Sequence, residues 1–158
     1  MILGTVGTHD APFNRLVAAL DAFAAAHPEH EVVIQTGHST CHPRAAAWYR
    51  FAPSLEADMA RAALVVTHCG SGTVIELLMR GTPFILVPRT AARGEHINDH
   101  QVLHARALRE RYGVPAVEDT AALDEAILEA LGTPWTCKRV SVEDSGICRA
   151  LKAYLDSL

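Results

Sequence analysis

The stretch "VVTHCGSGTVIELLMRGTPFILVP", residues 65–88, joins two strongly apolar segments through a short turn that contains two glycines. Neither apolar segment alternates with polar residues, as is typical of central parallel strands that are buried on both faces. The residues after the turn have helical spacing, so the stretch predicts a strand, a helix and a second strand. Such a unit implies a parallel sheet, with the polar turn at the carboxyl end of a strand.

The rest of the chain alternates in the same way between short apolar runs and helical patterns. We predict further strands over 1–6, 31–36 and 48–52, and helices over 12–26, 54–62, 71–80, 96–111 and 120–131. The first helix should bury one stripe, made of Leu16, Val17, Leu20 and Phe23, and Ser54 should cap the second. We expect a single α/β domain, Rossmann-like with a parallel sheet, over residues 1–131.

Residues 132–158 depart from this alternation. We predict a connector that ends near Ser141 and then a C-terminal helix with Ile147, Leu151, Tyr154 and Leu155 on its apolar side. This helix could pack on the sheet or contact another chain, and the pattern favours neither.

Composition excludes several classes of function. The chain has 158 residues, is half apolar and carries a formal charge of -4, without the basic face of a nucleic-acid module. It has four cysteines but no CxxC pair, and it begins without a basic leader, so we expect no disulfide framework and a cytoplasmic location. The densest metal-like cluster, His38, Cys41 and His42, matches no standard zinc spacing, and we expect no metal site.

The turn "THCGSGT" is a candidate anion site. Gly70 and Gly72 allow the backbone to approach a ligand, and the amino end of the following helix attracts phosphate. Ser71, Thr73 and His68 could add side-chain donors. The turn is neither a Walker loop nor a GxGxxG fingerprint, so the pattern predicts phosphate binding of another kind.

Glu76, one helical turn further on, has two interpretations of nearly equal weight. Thr73 and Glu76 have the spacing of a capping box, in which the glutamate bonds back to the amide at the start of the helix. Alternatively, the carboxylate could accept hydrogen bonds from both hydroxyls of a ribose.

Two further loops should end at the same edge of the sheet. The segment "RTAARGEHINDHQ", 89–101, concentrates amide, acid and imidazole groups before a helix, which suits recognition of sugar hydroxyls. Arg89 or Arg93 could pair with a uronate there, or could simply be solvated. The first loop, "VGTHD", brings Gly7 and Thr8 towards the same ligand, and His9 is either a substrate contact or an ordinary loop histidine.

"HCGSGTVIE" followed by "NDHQ", together with the opening "ILGTVGTHDAPFNRLV", resembles the nucleotide-sugar-binding half of GT-B glycosyltransferases. The similarity is to the Alg13-like and PssE-like donor-binding subunits of two-chain enzymes, of the glycosyltransferase family 28 C-terminal type, and covers residues 1–131. It implies a fold equivalent to the C-terminal half of a GT-B enzyme.

The resemblance also implies residue roles. His68, Ser71, Gly72 and Thr73 would hold the diphosphate of a UDP-sugar donor, and Glu76 its ribose. The donor sugar or its phosphates would face Asn98, His100 and Gln101, and the uracil would lie near Phe51 and Leu55 in the stretch that ends at Met59. We expect His9 and His68 as catalytic candidates, with His9 as the candidate general base.

A complete GT-B enzyme needs two such domains, so the resemblance implies a membrane-anchored, acceptor-binding partner similar to Alg14 or PssD. The chain would then act at the inner face of the cell membrane on a polyprenyl-diphosphate-linked saccharide, in exopolysaccharide or glycolipid biosynthesis. We expect an inverting transfer, and because no DxD pair is present we expect it to need no metal and no cofactor. The identity of the sugar stays open.

Two other functions are compatible with parts of this pattern. A non-catalytic UDP-sugar-binding regulatory module would have the same motifs. A Rossmann-like oxidoreductase should have a glycine fingerprint after strand one and an acidic residue at the end of strand two. The chain has "GTVGTHD" and "EVVIQTG" at these places, so the oxidoreductase ranks low.

Overall fold

Strands and helices alternate along the chain as the sequence predicts. The computed structural model describes residues 1–136 and Ser141. Its elements are β1 (Ile2–Thr5), α1 (Asn14–Ala26), β2 (Val32–Gln35), β3 (Ala47–Tyr49), α2 (Glu56–Arg61), β4 (Leu64–Thr67), α3 (Ser71–Arg80), β5 (Phe84–Leu86), α4 (His100–Tyr112) and α5 (Leu123–Gly132). Single 3₁₀ turns occur at Ala91–Arg93 and Thr120–Ala122.

The five strands form one parallel sheet in the spatial order β3-β2-β1-β4-β5. Strand β1 lies at the centre, where Leu3 is level with Val33 on one side and Val65 on the other. This order confirms the predicted Rossmann-like α/β class. The segment after α4 adds one parallel bridge from Ala116 to Leu86 beside β5.

Helices cover both faces of the sheet. On one face α1 and α5 pack against the strands, and the predicted stripe of α1 is buried as expected. On the other face Met59 of α2, Leu77 of α3 and Leu108 of α4 pack against the opposite side of the same strands. Full burial of each such side chain stabilises the fold by about 1.5–3 kcal/mol.

Gly4 in β1 allows this close packing. A Cβ atom at Gly4 would lie 2.4 Å from Cδ1 of Leu20, so a larger residue would push α1 away from the sheet. The central strand therefore depends on a glycine where the packing helix crosses it.

Several predicted boundaries differ from the structure, and α1 and α5 begin at Asn14 and Leu123 instead of 12 and 120. The third strand is Ala47–Tyr49 and not 48–52, because the backbone from residue 50 onwards turns into the loop before α2. The second helix begins at Glu56, and Ser54 accepts from the Glu56 N–H (3.1 Å) without being the cap residue. The fourth helix begins at His100 and not at 96, since Asn98 and Asp99 use their side chains on nearby backbone N–H groups.

The predicted C-terminal helix lies outside the described residues. Among the residues that are described, none of the helices is both long and apolar enough to cross a membrane.

The strand order creates a crevice between β1 and β4. From β1 the chain moves outward through β2 to β3, and then returns to the other side of β1 to form β4 and β5. The loops after β1 and β4 therefore leave in opposite directions, and in open parallel sheets ligands bind at this switch point.

Candidate functional site

A cavity of about 300 Å³ lies at the carboxyl ends of β1 and β4, at the switch point. Its walls come from the loops after β1, β3 and β4 and from the first turn of α3. The lining residues are Thr5, Gly7, Thr8, Gln35, Phe51, Ala52, Leu55, His68, Gly70, Ser71, Gly72 and Thr73. Of the predicted site residues, Gly7, Thr8, His68 and 70–73 line it directly, as do Phe51 and Leu55 of the predicted uracil site.

His68 is held between two glycines. A Cβ atom at Gly7 would lie 2.4 Å from Cε1 of the imidazole, and one at Gly70 would lie 2.3 Å from Nε2. Any side chain at either position would displace the ring. Gly7 also has a φ of +76°, which L-residues with side chains rarely adopt. The two glycines therefore make room for the ring on the cavity wall. Only 9% of the residue is exposed.

The same environment keeps His68 neutral. Burial is the main cause that lowers its pKa from 6.5 to about 4, and the positive charge of Arg89 is the next. At neutral pH the imidazole is therefore an uncharged hydrogen-bonding group on the cavity wall.

Helix α3 begins at the cavity. Gly70 is its N-cap residue, and the first intrahelical bond runs from the Val74 N–H to the Gly70 carbonyl (3.0 Å). The N–H groups of Ser71, Gly72 and Thr73 precede that bond and have no intrahelical acceptor. They are thus the helix donors available to a ligand in the cavity.

The capping-box interpretation of Glu76 is wrong. Because α3 begins at Ser71, Thr73 already lies within the helix and Glu76 lies too far along it to reach the cap amide. Its Oε1 instead accepts from Arg80, with Nε at 3.1 Å, and Arg80 also bonds Glu56 (3.0 Å). The Glu76 side chain is 42% exposed and is not among the lining residues of the cavity.

Gln35 is a cavity residue that the sequence analysis did not identify. Its Oε1 accepts from the hydroxyl of Thr5 (2.7 Å) and from the Gly7 N–H (3.1 Å), while Nε2 donates to the carbonyls of Gly7 (3.1 Å) and Arg50 (2.9 Å). One buried amide thus fixes the loop after β1 relative to the loop after β3. A polar residue at the end of an otherwise apolar strand was the available signal.

Three histidines form a row near His68. The ring centres of His9 and His96 are 4.4 Å apart, and those of His96 and His100 are 4.5 Å apart. His9 and His96 also contribute to the lowered pKa of His68, after burial and Arg89. The first loop and the "NDHQ" segment therefore come together, although His9, Asn98, His100 and Gln101 do not line the cavity itself.

Hydrogen bonds to the backbone and to Asn98 indicate the roles of the ring nitrogens of His9 and His100. Nδ1 of His9 accepts from the Ala11 N–H (3.1 Å), so a neutral His9 carries its proton on Nε2. Asn98 Oδ1 accepts from the His100 N–H (3.2 Å) and also faces His100 Nδ1, which must therefore be a donor. The Nε2 of His9 is therefore a donor, whereas the Nδ1 of His100 is used on Asn98.

Gln101 connects the loops after β4 and β5. The residue is only 4% exposed, and its Oε1 accepts from the N–H groups of Cys69 (3.2 Å) and Arg89 (3.1 Å). Its side-chain oxygen therefore positions the turn that precedes α3.

Arg89 is buried and not solvated. Its guanidinium donates to the carbonyls of Val6 (2.8 Å), Ala11 (2.9 Å) and Glu95 (3.1 Å). Burial lowers its pKa to about 10, which still leaves it protonated at neutral pH. These bonds commit the side chain to the protein interior, so Arg89 is not available to a uronate.

His38, Cys41 and His42, for which the sequence predicted no metal site, each contact other groups. His38 lies 3.7 Å from Asp10, the His42 ring centre lies 5.0 Å from that of Trp48 in a tilted arrangement, and Cys41 donates to the Asn14 carbonyl (3.5 Å). Within the described part of the chain, no group of three or more His, Cys, Asp or Glu residues could hold a metal ion.

Residues 1–141 match the family described as "Glycosyltransferase family 28 C-terminal domain". The chain belongs to this family. The match covers both the glycine turn before α3 and the "NDHQ" segment, and it confirms the resemblance drawn from these motifs.

Two curated relatives of the family 28 domain are larger proteins. The UDP-N-acetylglucosamine--N-acetylmuramyl-(pentapeptide) pyrophosphoryl-undecaprenol N-acetylglucosamine transferase of Desulforudis audaxviator (strain MP104C) is 32% identical over 108 residues, which are 65% of this chain and 28% of that protein. The human UDP-N-acetylglucosamine transferase subunit ALG13 is 28% identical over 118 residues, 67% of this chain and 10% of that protein. The chain therefore spans well under half of either relative.

Solved structures show the same fold. Acinetobacter baumannii MurG covers the whole chain with a TM-score of 0.62 at 14% identity, and the chain spans 50% of it. The glycotransferase of kitacinnamycin covers 97% of the chain with a TM-score of 0.65 at 21% identity, and the chain spans 39% of it. The family 28 domain described here thus has the fold of one part of a larger GT-B glycosyltransferase.

Proposed function

We propose that this chain is the donor-binding, catalytic subunit of a two-chain glycosyltransferase. It would transfer a sugar from a UDP-sugar to a polyprenyl-diphosphate-linked saccharide, in exopolysaccharide or glycolipid biosynthesis. The observation that carries the proposal is the cavity between β1 and β4, where the first turn of α3, the glycine-held His68 and the loop after β1 meet.

The diphosphate would bind at the first turn of α3. The N–H groups there lack intrahelical acceptors, the hydroxyls of Ser71 and Thr73 are adjacent, and the helix dipole favours an anion. Phe51 and Leu55 supply an apolar wall to the same cavity, which suits the uracil. Glu76 would bind the ribose by sharing its exposed carboxylate between Arg80 and the hydroxyls.

Catalysis would come mainly from stabilising the departing UDP. When the bond from the anomeric carbon to the diphosphate oxygen breaks, the electron pair stays on UDP and its charge increases. Donors that are already oriented stabilise this charge without reorganisation. His68 is neutral and fixed, and His9 offers an Nε2–H, so both act in the proposal as donors to the leaving group.

The acceptor hydroxyl would attack from the opposite face of the sugar, which gives inversion without a metal ion. Its proton needs a base. In the structure, Nδ1 of His9 already accepts a backbone N–H, which makes His9 less suited to this task than the sequence suggested. We therefore assign the base to the partner chain.

A partner is part of the proposal because one of the two relatives, human ALG13, is itself named a subunit. A membrane-anchored, acceptor-binding chain similar to Alg14 or PssD would hold the lipid-linked saccharide. This subunit would then be a cytoplasmic protein that is peripheral at the inner face of the membrane. The names of both relatives make UDP-N-acetylglucosamine the first donor to test.

Substitution of Gly72 tests the binding site, because we expect it to raise the stability of the fold and to lower the affinity for UDP. A Cβ atom at Gly72 would meet no atom within 4 Å, and the residue lines the cavity inside a helix. Gly72→Ala should therefore stabilise the fold by about 0.5–1 kcal/mol, yet place a methyl group where the diphosphate approaches. We expect UDP affinity to fall at least tenfold by calorimetry, while the melting temperature rises.

Gly132→Ala is the matched control, because its added Cβ also meets no atom within 4 Å and it lies in α5, away from the cavity. It should leave UDP affinity unchanged. Equal UDP affinity in wild type and Gly72→Ala would place the nucleotide elsewhere and contradict the proposal.

A non-catalytic UDP-sugar-binding module would pass the same calorimetric test. Transfer to a lipid-linked acceptor by the co-expressed pair, scored with radiolabelled donor, distinguishes the two functions. If the pair binds donor and acceptor but releases no UDP, the chain is a binding module.

A further inference from the structure

Arg89 is a fully buried cation next to the candidate site. Its side chain is 0% exposed, and its guanidinium carbon lies 4.6 Å from the ring centre of Phe13. One of its three carbonyl acceptors belongs to Val6, the residue before Gly7, and Gly7 lines the cavity against His68. The Arg89 Nε has no partner among the described residues.

None of the described contacts pairs the guanidinium of Arg89 directly with a carboxylate. All three acceptors of its guanidinium are neutral carbonyl oxygens. The charge of Glu95 favours the protonated guanidinium, but its carboxylate is hydrogen-bonded to Arg15, at 2.6 Å and 3.1 Å, and to the Thr90 N–H at 3.0 Å. Two guanidinium groups and one carboxylate leave this network with one net positive charge.

Such a charge is costly to bury. Removal of an ion from water costs several kcal/mol, and an apolar residue of similar size usually stabilises an interior as well or better. The same low dielectric makes the field of the charge reach further than it would in water. An anion bound in the adjacent cavity would feel that field without any contact.

We propose that Arg89 is a positioning residue that fixes the loops after β1 and β5 and supplies a buried positive charge which favours the diphosphate of the bound nucleotide. This inference rests on the proposed function and adds a second electrostatic component to it. Three observations support it: the guanidinium contacts both loops, the network has one net positive charge, and Arg89 is close enough to His68 to influence its protonation.

A purely structural role makes a different prediction from a role that includes the charge. If Arg89 only holds the loops, its loss should weaken a neutral nucleoside and a charged nucleotide alike. If the charge acts on the diphosphate, its loss should weaken UDP more than uridine. The ratio of UDP affinity to uridine affinity therefore isolates the charge from any distortion of the loops.

The experiment measures both ligands by calorimetry on the full chain and on three variants. Arg89→Met should lower the ratio at least fivefold, whereas Arg89→Lys, which keeps the charge, should retain most of it. Arg106→Met is the control, because it removes one positive charge from an exposed surface pair with Glu118. It should leave the ratio within twofold of wild type.

If circular dichroism shows that Arg89→Met does not fold, the same ratio is measured on Glu95→Gln, and that variant tests the inference. Loss of that carboxylate increases the net positive charge of the network, so the ratio should rise. If Arg89→Met folds and its ratio is unchanged, the inference is overturned. If Arg89→Met does not fold, an unchanged ratio in Glu95→Gln overturns it. Either result leaves the nucleotide site in place. A wild-type chain that binds neither ligand contradicts the proposed function, and this inference with it.

Discussion

At the scale of single residues, the candidate site depends on side chains whose freedom has been removed. The His68 ring packs against two glycines that leave no space for a Cβ atom, and four hydrogen bonds hold the amide of Gln35. Groups fixed before a ligand arrives need no reorganisation when charge develops, which is the property that a leaving-group site needs.

Glu76 provides the sharpest test at this scale. Glu76→Ala removes an exposed i,i+4 pair with Arg80, which should cost only about 0.5 kcal/mol of stability. If the carboxylate binds the ribose, transfer by the subunit pair should fall below detection while the circular dichroism spectrum is unchanged. Activity is measured by release of UDP.

The chain offers a matched control for this variant. Glu56 pairs with the same Arg80 at 3.0 Å but belongs to α2, so Glu56→Ala disturbs the arginine without touching the ribose site. We expect it to retain at least half of wild-type activity. Equal losses in the two variants would mean that Arg80, and not the carboxylate of Glu76, matters.

At the scale of elements, the loops that surround the cavity are tied to one another. Gln35 joins the loops after β1 and β3, Arg89 joins those after β1 and β5, and Gln101 joins those after β4 and β5. The carboxyl edge of the sheet is therefore a connected layer of polar bonds.

Gln101 tests this layer. Gln101→Leu leaves the buried N–H groups of Cys69 and Arg89 without their acceptor, which should destabilise the fold by about 2–3 kcal/mol. Gln101→Glu retains an acceptor oxygen at that place and should lose less. Urea unfolding measures both. A Leu variant within about 0.5 kcal/mol of wild type would show that the loops do not depend on this amide.

At the scale of the whole molecule, the neutral state of His68 links the site to global stability. Burial, followed by the charge of Arg89, lowers its pKa from 6.5 to about 4. Between these two values the unfolded chain binds a proton that the folded chain does not, so the free energy of unfolding falls as the pH is lowered from about 6.5 to 4. Below about pH 4 this contribution changes no further. Its full size is about 3 kcal/mol.

Urea unfolding between pH 7 and pH 4 on wild type and His68→Asn measures this contribution. The asparagine does not titrate, so the wild type should lose more stability than the variant across the window. Parallel curves for the two proteins would mean that His68 keeps an ordinary pKa in the folded chain.

The domain also illustrates how much of a site local sequence can indicate. Periodicity identified all five strands and the core stripe of α1, because burial on one face or on both imposes a repeat that is visible in the chain. Glycines and small polar residues after β4 indicated the candidate anion site, since only such residues allow backbone N–H groups to approach a ligand.

Contacts between distant residues could not be predicted in this way. The interior position of Arg89 depends on carbonyls at residues 6, 11 and 95, and the role of Gln35 depends on a loop that lies 28 residues before it. Similarly, Glu76 looked like a capping residue until the start of α3 placed it beyond reach of the cap.

The sequence by itself determined the α/β class, the parallel sheet and the glycine turn before α3 that lines the cavity, because these follow from hydrophobic period and from backbone freedom at glycine. The tertiary structure alone decided the strand order, and with it the crevice between β1 and β4 where the loops converge. It also decided which polar side chains hold those loops and which remain free for a ligand. Hydrogen bonds between residues far apart in the chain leave no local pattern, and only the folded backbone brings their donors and acceptors together.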